Sequence, residues 1–307
     1  MTKTGWLIND CLTCIPNTKT FWHFLLDSFP SIEDKTGGYT AFASLPEVIE
    51  RQLDDKKPDF LIRNATFFRP IRTQVPTISL LQDPYEEGTG IFRQQIEVCN
   101  SSSHVVFNSD YTKKRYQKFI NKPSSVIPIG TDSKLFAPKA QRKNKNTVIY
   151  VGSSNETFKG FSMIRALIEK TNYNFILVMK DGFNLNHPRV RVYNSITQEQ
   201  IVSLMSEADV LVCTSKHETL HLAGIEAMFC DVPVVASDVG IYSTLKKQKN
   251  WGKVVDNYDV ECYCRTIDDV IKSDFLSPRD LMFENGLSLE SCYESWKNLI
   301  KDLKEQK

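Results

Sequence analysis

Four polar side chains crowd one short segment: Lys216, His217, Glu218 and His221. A second carboxylate, Glu226, follows about one turn into the next helical run. The segment comes directly after an apolar run, Val210-Leu211-Val212. It precedes Leu222, Ile225, Glu226 and Phe229, which fall at helical spacing until Pro233 ends the pattern. A further apolar run, Val234-Val235-Ala236, has the character of a buried strand. The order is therefore strand, loop, helix, strand. Open α/β sheets bind ligands just beyond the carboxyl ends of their strands. A helix amino end at that place offers free backbone N–H groups and a positive dipole end, which suit a phosphate. With Glu218 and Glu226 flanking it, this is the pattern of an enzyme that handles a phosphorylated ligand.

The elements that must carry such a site come from the whole chain. Its 307 residues are 41% hydrophobic and 24% charged, enough to bury the cores of two domains. The 38 basic and 37 acidic residues leave a net charge of +1, without the basic excess that nucleic-acid binding requires. No apolar run approaches the roughly 20 residues of a membrane-spanning helix. The first residues lack the apolar core of a signal peptide, so the expected location is the cytoplasm. Lys113, Lys114, Arg115 and Lys118 cluster on one predicted helix; a solvated surface is preferred there to peripheral membrane contact. Cys11 and Cys14 form a C-x-x-C, and Cys262 and Cys264 a C-x-C. Two unrelated pairs do not make a four-ligand zinc set, and the thiols are read as plain. A redox role for Cys11 and Cys14, which follow a strand, stays open.

Alternating apolar runs and helical stripes predict two successive βα series. In the first, strands are expected at Trp6–Ile8, Phe60–Ile62, Ile78–Leu81, Val105–Phe107 and Val126–Ile129. Helices are expected from Phe21, over Glu47–Leu53, Ile91–Val98 and Tyr111–Phe119. The polar stretch from Ala137 to Asn146 is read as a linker. The second series has strands at Val148–Val151, Phe175–Met179, Val190–Tyr193 and near Val254, with helices over Gly160–Lys170 and Gln198–Glu207. A mostly helical tail from Tyr258 carries Trp296 on its apolar face. The fold class is α/β, two Rossmann-like doubly wound domains facing across a cleft. The expected domains are 1–138, 139–285 and a closing helix, 286–307. No G-x-G-x-x-G follows the first strand, which argues against NAD or FAD.

Five segments, taken in order, resemble a GT-B glycosyltransferase of the retaining type, glycosyltransferase family four. They are VVFNSDYTKKRY from Val105, SVIPIGTDSKLFAP from Ser125, VIYVGSSNETFKG from Val148, the helix and strand around Glu199 to Val212, and HETLHLAGIEAMFCDVPVVASDVG from His217. The first hundred residues match in layout only. The resemblance implies a nucleotide-sugar donor on the C-terminal domain, a carbohydrate acceptor on the N-terminal domain, no metal and no further cofactor. It implies that the last helix crosses back to the N-terminal domain. Lys159 matches the diphosphate-binding lysine, and the helix from Leu222 supplies N–H donors to the same phosphates. Glu218 matches the glutamate near the donor sugar, and Glu226 the one that binds the ribose hydroxyls. Ile196 lies where the family packs the base. The implied donor contacts are thus Ser153, Lys159, Ile196, Glu218, Leu220, His221, Leu222 and Glu226, with Glu218, Lys159 and Asp83 as the catalytic set.

Departures from the pattern bear on activity. The family usually has an arginine where this chain has Ser153, so one diphosphate cation is missing unless Lys180 or Lys216 replaces it. Thr219 and His221 stand where glycines often bring the backbone close to phosphate. Asp83 follows the strand at which the family often has a histidine; it either accepts the acceptor hydroxyl's proton or is an ordinary turn residue before Pro84. Glu218 either serves the active site or caps the helix. The expected reaction is transfer of a hexose from UDP-glucose or GDP-mannose to a carbohydrate acceptor with retention of configuration. The alternatives are a GT-B nucleotide-sugar epimerase and a non-catalytic sugar-nucleotide-binding module.

Overall fold

A computed structural model describes residues 5–8, 21–34, 45–66, 69–83, 85–139, 146–273 and 277–305. Cys11, Cys14, Pro84 and most of the expected linker lie outside the described residues. Backbone contacts divide the chain into one unit of Met1–Ile129 with Tyr293–Lys307, and another of Gly130–Cys292. The expected boundaries stood at 138/139 and 285/286.

In the first unit, β1 (Gly5–Ile8), β2 (Ile32–Asp34), β3 (Leu61–Asn64), β4 (Thr77–Leu81), β5 (His104–Phe107) and β6 (Ser124–Val126) form one parallel sheet in the order β2-β1-β3-β4-β5-β6. The central strands are buried end to end, as a sheet covered on both faces demands. Helices α1 (Phe21–Ser28), α2 (Leu45–Lys56), α3 (Gly90–Ser101) and α4 (Asp110–Tyr116) connect them. Thr89 and Ser109 cap α3 and α4 by accepting the N–H groups of Phe92 and Thr112. Three expectations are corrected here. β2 has too little apolar alternation to be seen in the sequence. The sixth strand ends at Val126, two residues before Pro128, which has no N–H to give a ladder. The helix expected to reach Phe119 tightens into a 3₁₀ turn after Tyr116.

The second unit holds β7 (Thr147–Gly152), β8 (Asn174–Met179), β9 (Val190–Asn194), β10 (Val210–Cys213), β11 (Val234–Ala236) and β12 (Gly252–Val254), all parallel, in the order β12-β11-β10-β7-β8-β9. Its core gathers Val148, Tyr150, Ile164, Leu177, Val212 and Val235 around α5 (Phe161–Lys170) and α9 (Val260–Lys272). Each such side chain removed from water contributes about 1.5–3 kcal/mol. α6 (Gln198–Met205) opens on a capping box in which Thr197 and Gln200 satisfy each other's N–H groups. It is followed by α7 (Leu222–Phe229), α8 (Tyr242–Leu245), α10 (Pro278–Glu284) and α11 (Leu289–Glu305).

Residues 131–137 belong to the second unit for a visible reason. Thr131 donates its N–H to Leu287 O at 2.9 Å, and Arg279 donates to the carbonyls of Ser133 and Phe136, both at 2.7 Å. From Tyr293, α11 groups with the first unit: the Tyr293 ring lies 5.2 Å from that of Phe29, and Lys304 is 3.6 Å from Asp59. Among the described residues, no helix is long and apolar enough to cross a membrane.

Candidate functional site

At the carboxyl end of β10 the chain turns through Thr214 to His221 before α7 begins. Glu218 is 8% exposed, and its Oε1 accepts from Lys159 Nζ at 2.7 Å and from Ser215 Oγ at 2.8 Å. Lys159 arrives from the 3₁₀ turn Thr157–Lys159 that follows β7. That turn is fastened to the β10 loop: Thr214 Oγ1 donates to Lys159 O at 2.9 Å, and Lys216 N to Phe158 O at 2.7 Å. Gly160, which closes it, has φ 67°, and a Cβ there would overlap Thr214 O and the Tyr258 hydroxyl. α5 therefore starts at Phe161, one residue later than its apolar stripe suggests. Tyr258 completes the clasp by donating to Thr214 O at 2.7 Å.

His221, at the N-cap position of α7, has φ 68° and ψ 70° and makes no side-chain cap bond. This left-handed conformation costs a non-glycine residue of order 1–3 kcal/mol. Its imidazole is buried, with Nδ1 2.5 Å from the hydroxyl of Tyr242. Glu218 does not cap α7. The N–H groups of Leu222 and Ala223 meet no acceptor among the described residues, so the first turn of the helix is open to an anion. Leu222 is 39% exposed, whereas Leu220 is buried and its carbonyl accepts from Ile241 N at 3.3 Å. Glu226 is half-buried on the next turn, and no described side chain or backbone group bonds its carboxyl.

The charges respond to this packing. Burial pushes the Glu218 carboxyl up, but the neighbouring His221 and Lys159 outweigh it and hold Glu218 below the usual carboxylate range. Burial drives His221 down to about 4, against the pull of Glu218 and with the help of Lys159. The imidazole is thus neutral at pH 7, where Lys159 is the cation bonded to Glu218. Burial raises Glu226 to about 7.

Ser153 departs most from the expected arrangement. The loop after β7 closes on a carboxylate of the same unit: Asp181 Oδ2 accepts from Ser153 Oγ at 3.0 Å, Ser154 N at 2.6 Å and Asn155 N at 2.8 Å. Burial raises the Asp181 pKa, but the bonds from Ser154, Asn155 and Ser153 prevail and lower it. Both candidate replacement cations are exposed. Lys180 lies 3.7 Å from Glu156, and Lys216 stands 5.6 Å above the Tyr258 ring. Ile196 is half-buried before α6 and lines a cavity of about 330 Å³ with Tyr193, Glu199, Gln200, Ser203, Leu204 and Lys139. Asp83 belongs to the first unit, where Oδ2 accepts from Thr66 Oγ1 at 2.9 Å and burial raises the carboxyl pKa.

The second unit thus brings Lys159, Glu218, His221, Leu222 and Glu226 around one helix start, with Ser153 and Ile196 on neighbouring loops. Sequence reasoning missed Ser215, Asp181, Tyr242 and Tyr258. Asp181, Tyr242 and Tyr258 act on partners far away in the chain, and only Ser215, within three residues of Glu218, carried a local signal. Among the described residues no cluster of three or more His, Cys, Asp or Glu could hold a metal ion.

The chain is similar to known proteins in sequence and in fold. The profile of the glycosyl transferases group 1 matches residues 132–287. A D-inositol 3-phosphate glycosyltransferase of Salinispora tropica is 29% identical over 115 residues, 38% of this chain and 23% of that protein. A GDP-mannose:cellobiosyl-diphosphopolyprenol alpha-mannosyltransferase of Xanthomonas oryzae is 24% identical over 152 residues, 44% of this chain and 40% of that protein. The alignments span less than half the length of these curated relatives. Among solved structures, sucrose-phosphate synthase from Thermosynechococcus elongatus superposes with a TM-score of 0.81 at 15% identity, covering 99% of this chain and 100% of the other. Anabaena HepE in complex with UDP and glucose gives 0.75 at 15% identity, covering 98% and 100%. These two likenesses are of fold, and they fit the two-domain α/β architecture of the GT-B type. With its profile match running through the whole β7–α10 unit, the chain belongs to the glycosyl transferases group 1 family.

Proposed function

We propose that the chain is a retaining, metal-independent hexosyltransferase of the cytoplasm that takes a nucleoside-diphosphate sugar, UDP-glucose or GDP-mannose, and a carbohydrate acceptor. The observation that carries this reading is the partly buried Lys159–Glu218 pair beside the open first turn of α7. A lysine ammonium has three N–H donors. One holds Glu218, which leaves the others for diphosphate oxygens. The bond from the anomeric carbon to the diphosphate oxygen breaks as the acceptor hydroxyl attacks. Its proton passes to the departing phosphate, and the charge left on the diphosphate is met by Lys159 and the N–H groups of Leu222 and Ala223. Glu218 faces the sugar. Glu226, whose carboxyl has no partner among the described residues, accepts the ribose hydroxyls. Ile196 packs the base.

The Asp181 clasp on the Ser153 loop favours a second reading, a module that binds sugar nucleotides without transfer. A panel of UDP- and GDP-sugars, each tested for thermal stabilisation with and without EDTA, addresses the first step, because a ligand bound only by the native state raises the midpoint. Incubation with acceptor glycans, and with the donor alone, separates transferase, epimerase and binding module by product. Glu218→Gln and Lys159→Ala are expected to abolish transfer with the fold intact. If no nucleoside diphosphate stabilises the protein, or if EDTA removes the effect, the proposal fails.

A further inference from the structure

His221 occupies a costly backbone position, and the surrounding chain is arranged to hold its ring. Gly224 lies one turn into α7, where a Cβ would overlap both the Tyr242 hydroxyl and His221 Nδ1. Tyr242 is fully buried, and its hydroxyl meets no other described group. This decides the direction of the bond. Were Nδ1 to donate, the phenolic proton would be sealed in with no acceptor, which is the expensive arrangement. With the tyrosine donating, Nδ1 is satisfied as an acceptor and the imidazole proton resides on Nε2. That nitrogen has no partner among the described residues, and it is not among the unpaired atoms cut off from solvent.

We propose that Tyr242 is a positioning residue: its hydroxyl donates to Nδ1 and fixes His221 as the Nε2–H tautomer, a neutral donor held at the first turn of α7 for an oxygen of a bound nucleoside diphosphate. The ligand-facing half of this inference rests on the proposed function; the tautomer half does not. The depressed His221 pKa agrees with a ring that stays uncharged through the neutral range. A neutral N–H adds a donor for the phosphate without adding a charge to attract Glu218. The chain thereby recovers some of what Ser153 does not supply.

The test uses the full-length, ¹⁵N-labelled protein and long-range ¹H–¹⁵N spectra of its imidazoles, with His221 assigned by its loss in His221→Asn. Wild type is expected to show an unprotonated Nδ1 and a protonated Nε2. Tyr242→Phe is expected to relax this into a mixture of tautomers. UDP and GDP, titrated separately, are expected to shift Nε2 in wild type, and Tyr242→Phe is expected to bind them about 3- to 10-fold more weakly, the scale of one hydrogen bond. His221→Asn tolerates the left-handed backbone and brings its own amide donor, so adding Tyr242→Phe to it is expected to change binding little. A protonated Nδ1 in wild type, identical tautomers in wild type and Tyr242→Phe, or an Nε2 signal unmoved at saturating nucleotide would overturn the inference. If neither nucleotide binds wild type, the proposed function falls, while the spectra of nucleotide-free protein still decide the role of Tyr242.

Discussion

Replacing Lys159 with methionine removes the cation bonded to Glu218. The ammonium lies 2.7 Å from Glu218 Oε1, and the two side chains are 23% and 10% exposed. At that separation and an effective dielectric constant of about 20, the attraction is about 6 kcal/mol, largely offset by drawing both charges out of water. Leaving the carboxylate behind without its partner costs about 3 kcal/mol. The dependence on pH is more telling than the size. In the wild type Glu218 titrates below its ordinary range, so its contribution is complete above about pH 4.5 and fades as the pH falls through the folded-state pKa. Without Lys159, burial is opposed by His221 and Ser215 alone, so the Glu218 pKa rises and the variant gains less stability than the wild type as the pH climbs from about 4 towards neutral. The stability gap between the two proteins should therefore widen from about pH 4 to about pH 7. Glu226 is common to both and cancels. Urea unfolding across that range measures the gap, and adding Glu218→Gln should close most of it. A gap independent of pH, or a double variant no more stable than the single, refutes the reasoning.

Glu226→Gln should flatten the pH dependence of unfolding. The native carboxyl is pushed up to about 7, so the wild type weakens as the pH rises from about 4.5, and the variant should gain up to about 3 kcal/mol by about pH 8. Gly160→Ala should cost about 2–3 kcal/mol, because φ is 67° and the added methyl meets Thr214 and Tyr258; a melting temperature equal to wild type would contradict the clasp. Arg279→Ala strips a donor from the carbonyls of Ser133, Phe136 and Phe229, an expected loss of about 3 kcal/mol by chemical denaturation.

Much of the architecture was legible because parallel strands buried on both faces leave continuous apolar runs, as Val210–Val212 and Val234–Ala236 do. Helix starts were legible where a capping residue precedes an apolar stripe, as Thr197 precedes α6. Short pieces were not: β2 and α8, at three and four residues, are too brief for any period to emerge. At the site, Lys159, Glu218 and Glu226 could be picked out by spacing and resemblance. Their partners could not. Tyr242 lies 21 positions from His221, and nothing in its own neighbourhood marks it as a hydroxyl donor to an imidazole. Asp181 reads as a turn residue before a glycine until the sheet brings β7 and β8 side by side.

The Arg279 fork has a practical corollary for taking the molecule apart. Its guanidinium fastens α10 to carbonyls at Ser133 and Phe136, and Leu287 accepts from Thr131 N. A fragment of the second unit cut at residue 139 would discard those acceptors and leave the partly buried Arg279 cation facing solvent or apolar rings. Starting at Gly130 keeps every one of them, and a solubility comparison of the two fragments would register the difference directly.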